Sequence, residues 1–205
     1  MPDELPNIRS LKALRAAEAA CTRCSLYRNA TQVVPGEGAA KARIMMVGEQ
    51  PGDQEDKQGR PFVGPAGGIL GKALADAGIE RNEVYITNAV KHFKFEPRGK
   101  RRLHKRPSNY EIERCHIWLD VERKLVEPQI LVALGVSAAR SLLGRPATIS
   151  KMRGRFSALP DGGRLLVTIH PSFILRIKEE GDKRAQYRAL VADLKVCAKA
   201  LRVAG

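Results

Sequence analysis

Short apolar runs alternate along this chain with longer stretches in which apolar residues recur every three or four positions. Residues 8–20 (Ile-Arg-Ser-Leu-Lys-Ala-Leu-Arg-Ala-Ala-Glu-Ala-Ala) carry that helical spacing and lead straight into Cys21 and Cys24. Arg43–Val47 is an apolar run that stops at Gly48, as a buried strand does. Residues 49–65, rich in Gly, Pro and Asp, read as a long loop. A helix over Ala66–Ala77 closes at Gly78, and a strand over Val84–Thr87 ends at Asn88. Ser108 and Glu111 form a capping box that starts a helix reaching Val126. A third strand, Ile130–Leu134, precedes a short helix over Ser137–Leu143. A fourth, Leu165–Ile169, ends at His170-Pro171-Ser172, and a last helix spans 183–202.

Strands alternating with helices predict a single α/β domain over residues 1–205. It is a three-layer sandwich with a central, mainly parallel four-stranded sheet and helices on both faces. In such folds ligands bind beyond the carboxyl ends of the strands. That rule gathers Gly48-Glu49-Gln50, Asn88 and His170 into one cluster.

Charge narrows the partner. There are 36 Lys and Arg against 22 Asp and Glu, a net charge of +14, which points to nucleic acid or another anionic surface. No apolar run approaches the roughly 20 residues that span a bilayer. The start, Met-Pro-Asp-Glu-Leu-Pro, lacks the basic and apolar regions of a secretory signal. Nucleic acid is therefore favoured over membrane, and the cytoplasm over export. In that compartment Cys21-x-x-Cys24 favours metal or redox chemistry over a disulfide. Cys197, in the last helix, reads as a small buried hydrophobe.

Two loops carry candidate chemistry. Glu49, Asp53, Glu55 and Asp56 put four carboxylates into one segment of a very basic chain. They read as solvated turn formers or as oxygen ligands for a magnesium ion. Phe62, between Gly59 and Gly64, is either ordinary core or a platform on which a base could stack. Lys100-Arg101-Arg102-Leu103-His104-Lys105-Arg106 lies between Pro97-Arg98-Gly99 and Pro107 and reads as a loop. It is either a solvated charge run or an imidazole held beside a polyanion.

Gly48-Glu49-Gln50-Pro51-Gly52, Pro61-Phe62-Val63-Gly64, Thr87-Asn88 and His170-Pro171-Ser172 occur in that order. With Cys21, Cys24 and the later Cys115, they resemble the uracil-DNA glycosylase superfamily, specifically its iron–sulfur family-4 branch. His92 in place of a third cysteine, the inserted 100–105 loop and Gln50 are similar to the UdgX subgroup. Members of that subgroup excise uracil and then remain covalently attached to the abasic sugar.

The resemblance implies roles for particular residues. A glycosylase must extrude its target nucleotide and read the exposed edge. Phe62 would stack on uracil, Asn88 would read N3–H and O4, and His170 would stabilise the departing uracilate. Gln50, Asp53 and Asp56 would complete the substrate site. Glu49 would position the attacking group, and His104 would attack C1′, kept neutral by its cationic neighbours. Lys100, Arg101, Arg102, Lys105 and Arg106, with the backbone at Pro171 and Ser172, would hold DNA. Phe173, Ile174 and Leu175 are candidate wedge residues, or core. Cys21, Cys24, His92 and Cys115 would bind a four-iron four-sulfur cluster, although spacing alone would suit structural zinc equally. His116 has only a structural place.

The expected partner is uracil-containing DNA, single- or double-stranded, bound by a monomer. Two alternatives remain open: a turning-over hydrolytic glycosylase, and a non-catalytic nucleic-acid-binding protein with a metal module. A phosphatase or nuclease built on the acidic segment lacks complementary carboxylates at the other strand ends.

Overall fold

The computed structural model describes residues 6–159 and 161–203. Its centre is a sheet of five strands, β1 (Ile44–Gly48), β2 (Val84–Asn88), β5 (Ile130–Leu134), β6 (Phe156–Ala158) and β7 (Arg164–Thr168), in the order β2-β1-β5-β7-β6. The first four in that order are parallel, and β6 pairs antiparallel with β7. The sheet thus gains one strand over the expected four. With only three residues, β6 carries too little periodicity to read.

Both faces of the sheet are covered. Ile44, Met46, Ile86, Val132 and Leu166 point to one side, against α3 (Pro65–Ala77) and α8 (Glu180–Val203). Met45, Val47, Leu131, Ala133 and Val167 point to the other, against α4 (Asn109–Val126) and α5 (Val136–Leu143). The period-two alternation survives although β1, β2 and β5 are buried along their whole length. α1 (Leu11–Ala19) packs against α4 over a third apolar cluster.

Two segments expected to be loops are structured. Within 49–65, Asp53–Gln58 forms α2. Its sequence lacks an apolar stripe, and its buried residues are the acids Glu55 and Asp56. The basic stretch is likewise no free loop. Arg101–His104 is strand β4, paired antiparallel with β3 (Phe95–Arg98), so His104 lies opposite Phe95. Two short helices, α6 (Ile149–Met152) and α7 (Pro171–Leu175), complete the chain.

After β1 the chain runs to β2 on one side, and after α4 it crosses to β5 on the other. A crevice opens where the strand order reverses, at the carboxyl ends of β1 and β5.

Candidate active site

A cavity of about 880 Å³ fills that crevice. Glu49 and Gln50 enter it from the end of β1, Asn88 from β2, Ser137 from the start of α5 and His170 from the end of β7. Phe62 and His104 also line it. The cluster derived from strand ends is therefore assembled, together with the stacking and nucleophile candidates.

Asn88 is 2% exposed, and its Oδ1 has no hydrogen-bond partner among the described residues. A buried acceptor left unpaired is costly unless a ligand supplies the donor. Only glycine fits at position 48, since a Cβ there would run into both Asn88 Oδ1 and the Phe62 ring. The aromatic face and the orphan acceptor thus meet across the bare backbone of Gly48. Phe62 itself sits in the left-handed backbone region (φ 55°), a strained state for a non-glycine residue.

Glu55 explains how that strain is held. Its Oε2 accepts from Gly52 N at 3.1 Å and its Oε1 from Gly64 N at 2.8 Å. One buried carboxylate clamps the turn after β1 to the turn that carries Phe62.

His170 is fixed in one tautomer. The backbone N–H of Ser172 donates to its Nδ1 at 3.1 Å, so the ring proton resides on Nε2, which is free to donate. Burial pushes its pKa down to about 4, with the charges of His104 and Arg176 adding to the effect. It is a neutral donor at physiological pH. This arrangement commits the Ser172 N–H, removing it from the expected grip on phosphate, and Pro171 is buried.

His104 lies at the mouth, its side chain half exposed, with Nε2 3.7 Å from Glu49 Oε1 and 3.0 Å from Gln50 Nε2. Partial burial lowers its pKa, Glu49 opposes the shift and Arg176 adds to it. The imidazole is therefore kept neutral chiefly by desolvation. The cations beside it in sequence, which were expected to do this, are engaged elsewhere. Arg102 donates to Asp53 and Asp56 at 2.6 Å each, and Lys105 pairs with Glu96. Arg106 Nε donates to Ser137 Oγ at 3.2 Å. Arg98, Lys100 and Arg101 stand at the exposed hairpin tip without an ion pair among the described residues.

Three expected substrate contacts are accordingly reassigned. Asp53 and Asp56 do not line the cavity; they anchor Arg102, whose guanidinium also lies 5.4 Å from the centre of the Phe93 ring. Gln50 does line the cavity, but its amide is spent on the hairpin root. It donates to Lys94 O and Lys105 O and accepts from Lys94 N. Ile174 is core, whereas Phe173 and Leu175 are exposed beside the opening.

Sequence reasoning missed Ser137. Its hydroxyl donates to Glu49 Oε2 at 2.5 Å and accepts from Arg106, holding the carboxylate that faces His104. A Gly-Val-Ser turn after a strand was the available signal.

The metal candidates lie apart from the cavity. Cys21, Cys24 and Cys115 gather in the apolar cluster around Trp118. Trp118 Nε1–H donates to Cys21 Sγ, and the Lys91 N–H to Cys115 Sγ. Burial pushes the Cys115 thiol up to about 12. His92 is buried, and desolvation lowers its pKa, with Asp56 opposing the shift. Among the described residues no group of three or more His, Cys, Asp or Glu is arranged to hold a metal ion, and this applies to the cysteines as well as to the acidic segment. No helix there is long and apolar enough to cross a membrane.

Fold and cavity together define a three-layer α/β protein in which the Phe62 ring and the Asn88 amide oxygen stand together in a crevice at the strand ends. Residues 35–195 match the Uracil DNA glycosylase superfamily, and the chain belongs to that family. It is 41% identical over 157 residues (76% of this chain, 78% of the relative) to a type-4 uracil-DNA glycosylase of Thermotoga maritima. Identity to the type-4 uracil-DNA glycosylase of Sulfurisphaera tokodaii is 38% over 151 residues, covering 71% of this chain and 66% of the relative. For that of Pyrobaculum aerophilum it is 37% over 163 residues, covering 76% and 80%.

Proposed function

We propose that this protein excises uracil from DNA, as a base-excision repair enzyme, and ends bonded to the abasic sugar through His104. The observation that carries the reading is the orphaned Asn88 Oδ1 beside Phe62. An acceptor fixed in that place calls for a ring N–H in a base stacked on the phenyl face. Uracil offers one at N3, flanked by carbonyls, whereas N3 of cytosine is itself an acceptor, so the same carboxamide oxygen repels it.

In the proposed reaction the C1′–N1 electron pair leaves with uracil, and the anion is stabilised by the Nε2–H of His170. The carboxylate of Glu49 lies close enough to offset positive charge on C1′ and on the attacking ring. The lone pair of neutral His104 then forms the C1′–N bond. The resulting imidazolium loses its remaining ring proton to solvent, and uracilate takes one from water. No step passes through a metal.

The iron–sulfur cluster of the resemblance belongs in this proposal with Cys21, Cys24 and Cys115, whose thiols share one apolar cluster and receive N–H donors. It would tie the end of α1 to α4, outside the reaction path. Iron and labile-sulfide analysis with a visible spectrum tests the group, and a colourless, iron-free protein rejects it.

The principal test runs wild type, His104→Ser and His104→Ala with uracil-containing single strands on a denaturing gel. Wild type is expected to give a protein–DNA band and the variants none, with some hydrolytic turnover. A band of unchanged yield in both variants removes His104 as nucleophile. Release of free abasic DNA by wild type favours the hydrolytic reading.

A further inference from the structure

A second cavity, of about 550 Å³, lies on the opposite side of α7 from the first. Its apolar lining is Ile69 in the first turns of α3 and the Tyr187 ring of α8, with Lys72 Nζ 5.3 Å from the ring centre, over the buried Ile174 of α7. Lys72, Lys183, Arg184 and Arg188 surround it, against the single carboxylate of Glu180, which is itself paired with Lys183 at 3.1 Å. Lys72, Arg184 and Arg188 have no carboxylate partner among the described residues. The groove is therefore apolar inside and positive at its rim.

It adjoins the first cavity. Pro65 lines the second and Ala66 the first; Ile174 lines the second while Phe173 and Leu175 line the first. A single wall, the starts of α3 and α7, separates them. On top of that wall stand two exposed hydrophobic side chains, Phe173 at 43% and Leu175 at 45% exposure.

We infer that the second cavity is a subsite for the DNA strand, taking an ordinary base near the one extruded into the first. This rests on the reading that the first cavity receives a base of DNA. A strand that gives up one nucleotide there must cross Phe173 and Leu175, and the next low ground is apolar, with cations placed for the phosphates. Such a combination of stacking surface and basic rim holds single strands with little sequence preference. No buried polar side chain lines the floor to read a base edge, so the subsite positions the strand without selecting sequence.

Gly68 offers a clean probe. It lies in α3, lines the groove, and a Cβ there would meet nothing within 4 Å. Gly68→Trp should fill the space without disturbing the core, and thermal melting verifies the fold. Arg184→Glu with Arg188→Glu removes the rim charge from one face of α8 and serves as the independent variant.

The experiment places a photoreactive thymine analogue at successive positions on either side of an uncleavable uracil analogue in a single strand. Crosslinks to the peptides of Ile69 or Tyr187 are expected from one side only, and to be lost in Gly68→Trp. In single-turnover kinetics both variants should also raise the half-saturating protein concentration for a long uracil-containing strand roughly tenfold, in the range of one lost base stack for Gly68→Trp. Their limiting rate, and their half-saturating concentration for a short oligonucleotide ending beside the uracil, should stay unchanged. Crosslinks that avoid the groove, or survive the tryptophan, overturn the proposal. So does a Gly68→Trp variant that keeps every DNA contact but loses an Asp-rich, phenylalanine-containing peptide, since the groove would then be a peptide site. If only the uracil reading is wrong, a uracil-free strand still labels the groove, without a fixed register.

Discussion

Ser137 and Glu18 illustrate how single side chains set the chemistry and the stability of this fold. The hydroxyl of Ser137 is the one side chain donating a hydrogen bond to Glu49 among the described residues, and Arg106 reaches the carboxylate only at 3.8 Å. Ser137→Ala should leave Glu49 free to rotate away from His104. We expect the limiting rate of covalent complex formation to fall by about 10–100-fold, with little change in the half-saturating concentration, the pattern of an interaction needed mainly in the transition state. Single-turnover kinetics checks it, and an unchanged rate would remove Ser137 from the site. Glu18 is different in kind. It is fully buried, both carboxylate oxygens lack partners, and burial raises its pKa to about 8, with Lys91 opposing and Glu122 adding. An acid whose folded pKa is raised keeps its proton while the unfolded chain has released it. Its stabilising contribution is complete below the unfolded value, near 4.5, and is lost as pH rises through about 8. The melting temperature should therefore decline over that window. Glu18→Gln should flatten the decline, and a slope identical to wild type would contradict the assignment.

Glu55 acts between elements. Its two oxygens join the start of α2 to the turn before α3, so the left-handed backbone of Phe62 depends on a carboxylate three residues after Gly52 and nine before Gly64. Glu55→Ala leaves two backbone N–H groups without this acceptor and should cost about 1–3 kcal/mol of stability. Excision should also slow, because Phe62 relaxes from its strained conformation. Denaturant melting and uracil release measure the two effects separately, and a variant with both unchanged would show that the clamp is not needed. This element scale also marks where the sequence was readable. The four parallel strands and the helices α3, α4, α5 and α8 follow from apolar period and from Gly48, Gly78 and Ser108 at their ends. Glu49, Asn88 and His170 then come together because strand ends converge. The β3–β4 hairpin did not follow, since Phe95 and Leu103 are the only apolar residues over 95–104, and its register is held by Gln50 from a distant segment. Ser137 and Glu49, 88 positions apart, meet only in three dimensions.

On the scale of the whole molecule, a net charge of +14 ensures attraction to DNA but does not say where the strand lies. The structure separates the cations of the hairpin by their company. Arg102 is locked to Asp53 and Asp56, Lys105 to Glu96, and Arg106 to Ser137, while Arg98, Lys100 and Arg101 are exposed at the tip. A cation already neutralised by a carboxylate releases few counterions when DNA arrives, so it contributes little to the salt dependence of binding. A free one contributes about 0.7 to the slope of log K against log salt on a single strand. Lys100→Ala with Arg101→Ala should therefore reduce the slope by about 1.4 in anisotropy titrations across salt concentration. Arg102→Ala should leave the slope nearly as it is, while loosening the hairpin and slowing attack by His104. An unchanged slope in the double variant would place the strand away from the hairpin tip. Combined with Arg184→Glu and Arg188→Glu, the same titration asks whether one strand is held on both sides of the extruded base. Independent contacts to a single continuous strand give additive losses of slope, whereas alternative, mutually exclusive paths do not.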